Sequence, residues 1–464
     1  MLEDSVFIKT LGCKVNTYDS HALENQFRKS GYRIVDTPEE ARVTVINTCS
    51  VTENASKEAR YYLRKFHKVN PDSLRVVTGC YAQIDSAKLA ELQEVDFVVP
   101  NEAKEILVEL VHEGLKTPKQ LKQLVNKLPE GVGEVSNNRQ SHFKSSLTLF
   151  DQATSEQTRA FIKVQDGCNG FCSYCQIPYA RGSSRSVAPK LVLDEIKRLV
   201  DAGTREIVFA GIHIGDYGED LDFYKSTKVP PIVDLIEKTI QIAGPSRIRI
   251  SSLEPAEFSE PLGELMRSHW NVFCDHFHFP LQSGSNRILK LMNRKYDTDR
   301  YQESVFRARD IFPNAFIGCD IIPGFPGETE ADFNDTMKFV EHVQLTSLHV
   351  FPYSKRPNTA ALKMPDHLDP EVIKERSKIM REWSAKSLQK FYTRFIGQTL
   401  DVLWENDFDK DGRILGKSTN YLNVASPTSS HGLIPGSRSQ VSIKGFLGHE
   451  KLLGIPLVSH ESVH

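Results

Sequence analysis

The sequence predicts a multidomain α/β protein: an N-terminal parallel α/β domain of Rossmann or flavodoxin-like type, a central partial (β/α)6 barrel, and a small oligonucleotide-binding-like β-barrel at the C-terminus. Three observations carry this prediction. Two separate series of short β-branched runs alternate with helical stretches, which is the pattern of a parallel sheet wrapped by helices. A stretch rich in turn-forming residues separates the two series. The last seventy residues change to short alternating runs broken by Gly and Pro. With 464 residues the chain has the length of about three domains.

Residues 1–113 form the first unit. SVFIKTL (5–11), VTVINT (43–48), RVVTG (75–79) and DFVV (96–99) are short, apolar and rich in β-branched residues, as buried strands are. Helical stretches such as DSHALENQFRKSGY (19–32) and SKEARYYLRKFHK (56–68) lie between them. In such sheets the loops after the strands carry function. Cys13, Cys49 and Cys80 follow the first three strands and so share one sheet edge. Residues 114–158 are expected to be a connector, because periodicity fades there and PEGVGEVSNNRQSH (129–142) is rich in turn formers.

The second series covers 159–394. Its strands are AFIKVQ (160–165), EIVFAG (206–211), RIRISS (247–252), CDHFHFP (274–280), FIGCDII (316–322) and TSLHVF (346–351). Six such units make a complete or partial barrel whose active face is the C-terminal end of its strands. A polar helix over 370–395 closes the unit. Residues 395–464 form the third, with strands in QTLDVLWE, GRILGKS, NYLNVAS, SQVSIKGF and KLLGIPLV.

The formal net charge of −2 excludes a uniformly basic nucleic-acid binder but leaves room for local basic patches. The first residues, MLEDSVFIKT, lack the pattern of a signal peptide, and no apolar run approaches a membrane span. A soluble, cytoplasmic protein is expected, without disulfides among its eight cysteines.

Clustered cysteines in such a compartment point to metal or redox chemistry. Cys168, Cys172 and Cys175 occupy eight positions just after the first barrel strand. Structural zinc takes four ligands, usually as two close pairs, so it would need a histidine to complete this set. Three unliganded core cysteines fit a turn-like loop containing Asn169, Gly170 and Ser173 poorly. A cubane iron–sulfur cluster fits better, because three thiolates hold three irons and leave the fourth open to a small molecule. For Cys13, Cys49 and Cys80 the residues alone leave metal binding and three unrelated small buried residues evenly matched. Cys274 and Cys319 have no spacing partner and read as ordinary buried residues.

The x3/x2 spacing on the first loop of a β/α barrel resembles that of radical S-adenosylmethionine (SAM) enzymes. The whole chain resembles one family among them, the radical SAM methylthiotransferases. The resemblance rests on TLGCKVN (10–16), NTCSVT (47–52), GCYAQ (79–83), GCNGFCSYCQIPYARG (167–182), SSLEP (251–255), HFPLQSGS (278–285), IPGFPGETEADF (322–333) and FPYSKRPNTAA (351–361). LGCKVN, NTCSVT and GCYAQ are most similar to the branch that modifies N6-threonylcarbamoyladenosine (t6A) in tRNA. The isopentenyladenosine branch tends to read GCQMN and GCMAQ. A third branch, acting on a ribosomal-protein aspartate, more often reads LGCPKN.

The resemblance implies two 4Fe-4S clusters, one on Cys168, Cys172 and Cys175 and one on Cys13, Cys49 and Cys80, with SAM as cofactor. It implies methylthio transfer to C2 of adenosine 37 in the anticodon stem-loop of tRNA, with electrons from a donor such as flavodoxin or ferredoxin and the enzyme a monomer. The C-terminal barrel resembles a TRAM domain, an RNA-binding module. Cofactor contacts are expected from Tyr174 inside the cysteine loop, Gly211, Ser252 and Glu254 at strand ends, and Arg181 and Arg185 after the loop. His278 and Gln282 lie at the active face as candidate contacts, and Asp320 is either a core partner or a pocket acid. The glycines of DIIPGFPGET are expected to close the adenine pocket. RNA contacts are expected from basic stretches at 57–68, 287–300 and 374–394, and from Trp404, Phe408 and Tyr421. The competing class is a non-enzyme: a zinc-stapled RNA-binding protein.

Overall fold

Five parallel strands, in the order Arg33–Ile34, Ser5–Thr10, Val43–Thr48, Leu74–Gly79, Phe97–Val98, form the N-terminal sheet of the computed structural model. The structure describes residues 4–116, 158–244, 246–427 and 433–457. Every residue of the central strand Val43–Thr48 is buried, because helices cover both faces. Val43 and Val45 pack with Leu23, Phe27, Leu107 and Val111 on one side. Ile46 and Val77 pack with Ala59, Leu63 and Phe66 on the other. The short strand Arg33–Ile34 is an edge addition that sequence patterning does not reveal, having only two residues. The helix Leu107–Lys116 ends the unit, and the rest of the expected connector, 117–157, lies outside the described residues.

The central unit has the six expected strands in two three-stranded parallel sheets. One has the order Arg247–Ile250, Glu206–Ala210, Arg159–Lys163, and the other His276–His278, Phe316–Ile321, Ser347–Val350. A bridge between Ile248 and Phe273 joins them into one curved, open wall. Strand alternation sorts the side chains. Ala160, Ile162, Ile207, Phe209, Ile248 and Ile250 face the helices and build the largest core. Arg159, Glu206 and Arg247 share one register row on the opposite, concave face, with Arg249 two residues further on. A concave wall of charged residues is unusual inside a barrel, and it is satisfied internally. Glu206 accepts from Arg247 Nε at 2.6 Å and Arg249 Nε at 2.7 Å. Burial works against ionising Glu206, but the two guanidiniums win and hold its carboxyl far below the usual range.

The 24-residue helix Pro370–Thr393 leads into a closed five-stranded barrel. This barrel seals the base of the concave wall. Arg247 donates to the Lys417 carbonyl at 2.8 Å and Arg249 to the Thr419 carbonyl at 3.0 Å. Two expected RNA-stacking residues are placed elsewhere. Trp404 is fully buried in the small barrel's core, with Nε1 donating to Ser439 at 2.8 Å. Tyr421 lies against Arg249, His276 and Phe316 at the base of the wall. Phe408 is the exposed one. No described helix is long and apolar enough to cross a membrane.

Candidate active site

The loop carrying Cys168, Cys172 and Cys175 is shaped by its own backbone and by one glutamine. Gly167 adopts φ +77°, and a Cβ there would collide with Ser183, so the turn requires glycine. Gln165 pins the turn, its Nε2 donating to the Gly167 carbonyl and to Ser184 Oγ, both at 2.8 Å. Its Oε1 accepts from the amides of Ile212 (3.0 Å) and His213 (2.8 Å), tying the loop to the end of the neighbouring strand. The thiols turn toward a common space. A Cβ on Gly170 would stand 3.3 Å from Cys168 Sγ and 4.0 Å from Cys172 Sγ. N–H donors surround the sulfurs: Gly170 N to Cys168 Sγ at 3.3 Å, Ile177 N to Cys175 Sγ at 3.5 Å and Arg294 Nη1 to Cys172 Sγ at 3.2 Å. Burial, and after it the neighbouring Cys172, pushes the Cys175 thiol well up.

The second triplet is assembled by topology. Cys13 stands at the start of the helix Lys14–Lys29, Cys49 just after Val43–Thr48, and Cys80 at the first position after Leu74–Gly79. Gly79 (φ +97°) touches the Thr48 backbone so closely that no side chain fits, which sets Cys80 at the strand end. A Cβ on Gly12 would lie 2.8 Å from Cys49 Sγ. Val51 N and Asn101 Nδ2 donate to Cys49 and Cys80 sulfurs, each at 3.5 Å. Burial pushes the Cys49 thiol up to about 12, with the charges of Cys80 and Cys13 adding to it. Cys13 is raised by burial too, and Arg181 opposes the rise. Raised thiols such as those of Cys13 and Cys49 are what a bound cation would convert to thiolates.

A buried ionic seam ties the helix that follows Cys13 to the short helix that follows Cys175. Arg181 forks onto Asp166 with two contacts of 2.9 Å and reaches Asn16 at 2.5 Å and Asp19 at 3.3 Å. Asp19 also takes Lys163 at 2.6 Å and Lys104 at 3.0 Å. Burial opposes its charge, but these three cations keep its carboxyl far below the ordinary value. Arg356 clamps the Cys49 loop, donating to the Ser50 carbonyl at 2.6 Å and to Gln176 at 3.1 Å. Asn101 bridges to the Ala180 carbonyl at 3.0 Å.

The remaining expected residues occupy several settings. Tyr174 packs on the cluster of Ile288, Met292, Phe325 and Tyr353 beside Arg294. Gly211 follows its strand directly, and the space a side chain would need is filled by Ile214 and Gln165. Ser252 is half-buried, and Glu254 pairs with Arg294. Arg181 meets a carboxylate bidentately, but the carboxylate is the chain's own Asp166. Arg185 donates to the Arg181 carbonyl at 3.0 Å. His278 pairs with Asp320 at 3.0 Å, and the His349 ring lies 5.0 Å from that of His278. Gln282 is buried with φ +65°, a strained setting for a non-glycine residue. Gly324 of the DIIPGFPGET loop packs against Ile373, leaving no space for a side chain. Of the stretch 287–300, Arg294 points inward at Cys172.

Sequence reasoning missed His213, Arg294 and Arg356. His213 lies 3.5 Å from Cys168 Sγ and is gripped by Asp216 and Glu257. Burial disfavours its protonation, but bonds to Asp216, Cys168 and Glu257 overcome this and raise its pKa strongly. Its position three residues past a strand end was the available signal.

The donor sets fit iron–sulfur clusters better than single ions. Sulfurs on one tetrahedral zinc sit roughly 3.8 Å apart. Among the described residues, the sets gathered within 4.8 Å are His278–Asp320–His349 and His213–Asp216–Glu257, and neither cysteine triplet is one of them. The wider spread suits sulfurs on separate irons.

Comparison with known proteins agrees with this arrangement. Residues 162–340 match the Radical SAM superfamily and residues 5–100 match the uncharacterized protein family UPF0004. The chain is 36% identical to the threonylcarbamoyladenosine tRNA methylthiotransferase MtaB of Bacillus subtilis, over 90% of each chain. It is 37% identical to the MtaB of Aquifex aeolicus, over 90% of this chain and 96% of that one. A tRNA-2-methylthio-N(6)-dimethylallyladenosine synthase from Protochlamydia amoebophila is 32% identical, over 97% and 95%. In fold, the radical SAM methyltransferase TsrM of Kitasatospora setae, with tryptophan and a SAM analogue bound, superposes with a TM-score of 0.54 at 13% identity, covering 77% of this chain and 75% of that one. Membership in the superfamily implies SAM and a 4Fe-4S cluster. Cysteine-lined, barrel-based and similar to these enzymes along nearly its whole length, the chain belongs to the radical SAM tRNA methylthiotransferase family.

Proposed function

We propose that this enzyme adds a methylthio group to C2 of t6A at position 37 of tRNA, next to the anticodon. The observation that carries the reading is the pair of three-cysteine sets, on two units tied by one buried ionic seam, in a chain 35–38% identical to four MtaB relatives. The dimethylallyladenosine synthases are less similar, at 32–33%. Cys168, Cys172 and Cys175 would hold one 4Fe-4S cluster and Cys13, Cys49 and Cys80 a second. When bound, these groups with SAM supply a carbon radical and the sulfur, chemistry that no side chain provides for a non-acidic ring C–H.

The chain's own residues position that chemistry. Gln165 fixes the cysteine loop to the strand end at Gly211, where its own side chain and Ile214 pack against the backbone. Arg294 holds Glu254 at the rim and gives Cys172 Sγ a charged hydrogen-bond donor. The Asp19–Arg181 seam ties the edge that carries Cys13 to the segment after Cys175, which would help radical and sulfur reach the same base. A one-electron donor such as flavodoxin or ferredoxin would serve it, and the enzyme would act as a cytoplasmic monomer. The test is anaerobic reconstitution with iron and sulfide, then incubation with t6A-containing tRNA, SAM and dithionite. Mass analysis of nucleosides should show 2-methylthio-t6A. Product on isopentenyladenosine tRNA alone would overturn the substrate assignment, and a colourless protein with stoichiometric zinc would overturn the chemistry.

A further inference from the structure

We propose that Lys14, with Lys417 beside it, binds the carboxylate of the amino-acid substituent on N6 of the substrate base. The proposal rests on the t6A reading above and deepens it.

Four cations converge on one tyrosine at the base of the concave wall. Lys417 Nζ is 4.4 Å from the Tyr421 ring centroid, Arg249 Cζ 4.9 Å, Lys14 Nζ 5.9 Å and Arg159 Cζ 6.0 Å. They come from three different parts of the chain: the helix after Cys13, two barrel strands and the small C-terminal barrel. The carboxylates nearby are already committed. Glu206 takes Arg247 and Arg249, Glu405 takes Arg159 at 2.5 Å, and Asp401 takes Arg438. Asp275 is hydrogen-bonded to Thr419. The two lysines are left over. Lys417 finds only the neutral Asn423 amide oxygen. Among the described residues Lys14 makes its contact with the Tyr421 ring and no hydrogen bond or ion pair.

Two ammonium groups that share only Glu206 and Glu405, both already bonded to arginines, and form no direct ion pair of their own are costly, and an arriving carboxylate relieves that cost. Lys14, Lys417 and Tyr421 are each half-buried, so solvent and ligand reach them while bulk screening is reduced. The place also suits the substrate. C2 and the N6-bearing carbon belong to the same six-membered ring. Whatever recognises the N6 substituent must therefore lie within about a side chain's length of the thiols that serve C2, and Lys14 directly follows Cys13. A threonylcarbamoyl group ends in a carboxylate, whereas an isopentenyl group offers only hydrocarbon. The same two lysines would thus favour the first and leave the second with unpaired charges beneath it.

The test measures anaerobic equilibrium binding of a fluorescent anticodon stem-loop carrying t6A, and of the same stem-loop with its carboxylate methyl-esterified, to the full-length reconstituted enzyme. Wild type should bind the acid about tenfold or more tightly than the ester. Lys14→Met should bind both about equally, at the wild-type ester's level, and Lys14→Arg should restore the preference for the acid. Lys417→Met should lose a smaller part of it. Iron and sulfide content equal to wild type establishes that each variant is folded. A wild type indifferent between acid and ester overturns the carboxylate site even if Lys14→Met does not fold, and so does a folded Lys14→Met that keeps the full preference. A wild type that discriminates yet never yields 2-methylthio-t6A overturns the proposed function instead, and with it the role given to these lysines.

Discussion

The two cysteine triplets reach similar arrangements by opposite routes. Cys168, Cys172 and Cys175 lie within eight residues, in a loop whose own amides at 170 and 177 supply the donors to sulfur. Cys13, Cys49 and Cys80 are thirty or more residues apart and meet because three parallel strands end at one edge. The first is a property of a segment, the second of a fold. The distributed set also leans on the neighbouring unit: Arg356 grips the Ser50 carbonyl, Ala180 anchors Asn101, and Arg181 supplies the positive charge facing Cys13. A local motif tolerates disturbance elsewhere, whereas an assembled one is only as firm as the docking beneath it.

The largest expected effect separates the two roles. Cys172→Ala should lower 5′-deoxyadenosine formation by about a thousandfold or more, read by chromatography after anaerobic incubation with SAM and dithionite. Cys49→Ala should eliminate methylthiolated nucleoside while SAM cleavage persists and iron falls toward half. Equal loss of both activities in the two variants would erase the distinction.

Next comes the seam. Asp19→Asn leaves Lys104 buried without its anion and Lys163 with only Asp166 at 3.4 Å, and should cost about 3–5 kcal/mol in chemical denaturation. The pH dependence has a definite sign. The folded-state pKa of Asp19 is depressed, so its contribution is complete above the unfolded value of about 3.9 and fades as pH falls below it. The gap between wild type and Asp19→Asn should therefore narrow below about pH 4. If the gap is constant from pH 7 to pH 3, the carboxylate is not what holds the units together. Arg356→Met should have the smallest effect, about 1–3 kcal/mol, and should speed loss of iron to a chelator from the distributed triplet and not from the local one.

Much of this was legible from residues. Hydrophobic periodicity locates the six barrel strands, and the parallel pattern of the first unit alone puts three distant cysteines on one edge. What escaped was whatever depends on the far end of a long side chain. Arg294 sits in a basic stretch that reads as an RNA-contacting surface, yet its guanidinium turns inward to Cys172 and Glu254. Arg181 reads as a ligand contact, yet an internal carboxylate reaches it first. Tyr421 reads as a platform for bases, yet cations and His276 surround it. Strand position follows from a local pattern, but the destination of a flexible charged chain depends on partners more than a hundred residues away.

The small C-terminal barrel is fastened to the wall by carbonyls at 417 and 419 that accept from Arg247 and Arg249. It is therefore a stopper and not a tethered hand. A truncation ahead of Thr399 would uncork two guanidiniums and leave them Glu206 alone, so it would damage the catalytic half along with any grip on RNA. An intact enzyme offers its RNA ligand a single rigid gauge, in which the depth a nucleotide can reach is set by where the plug stops.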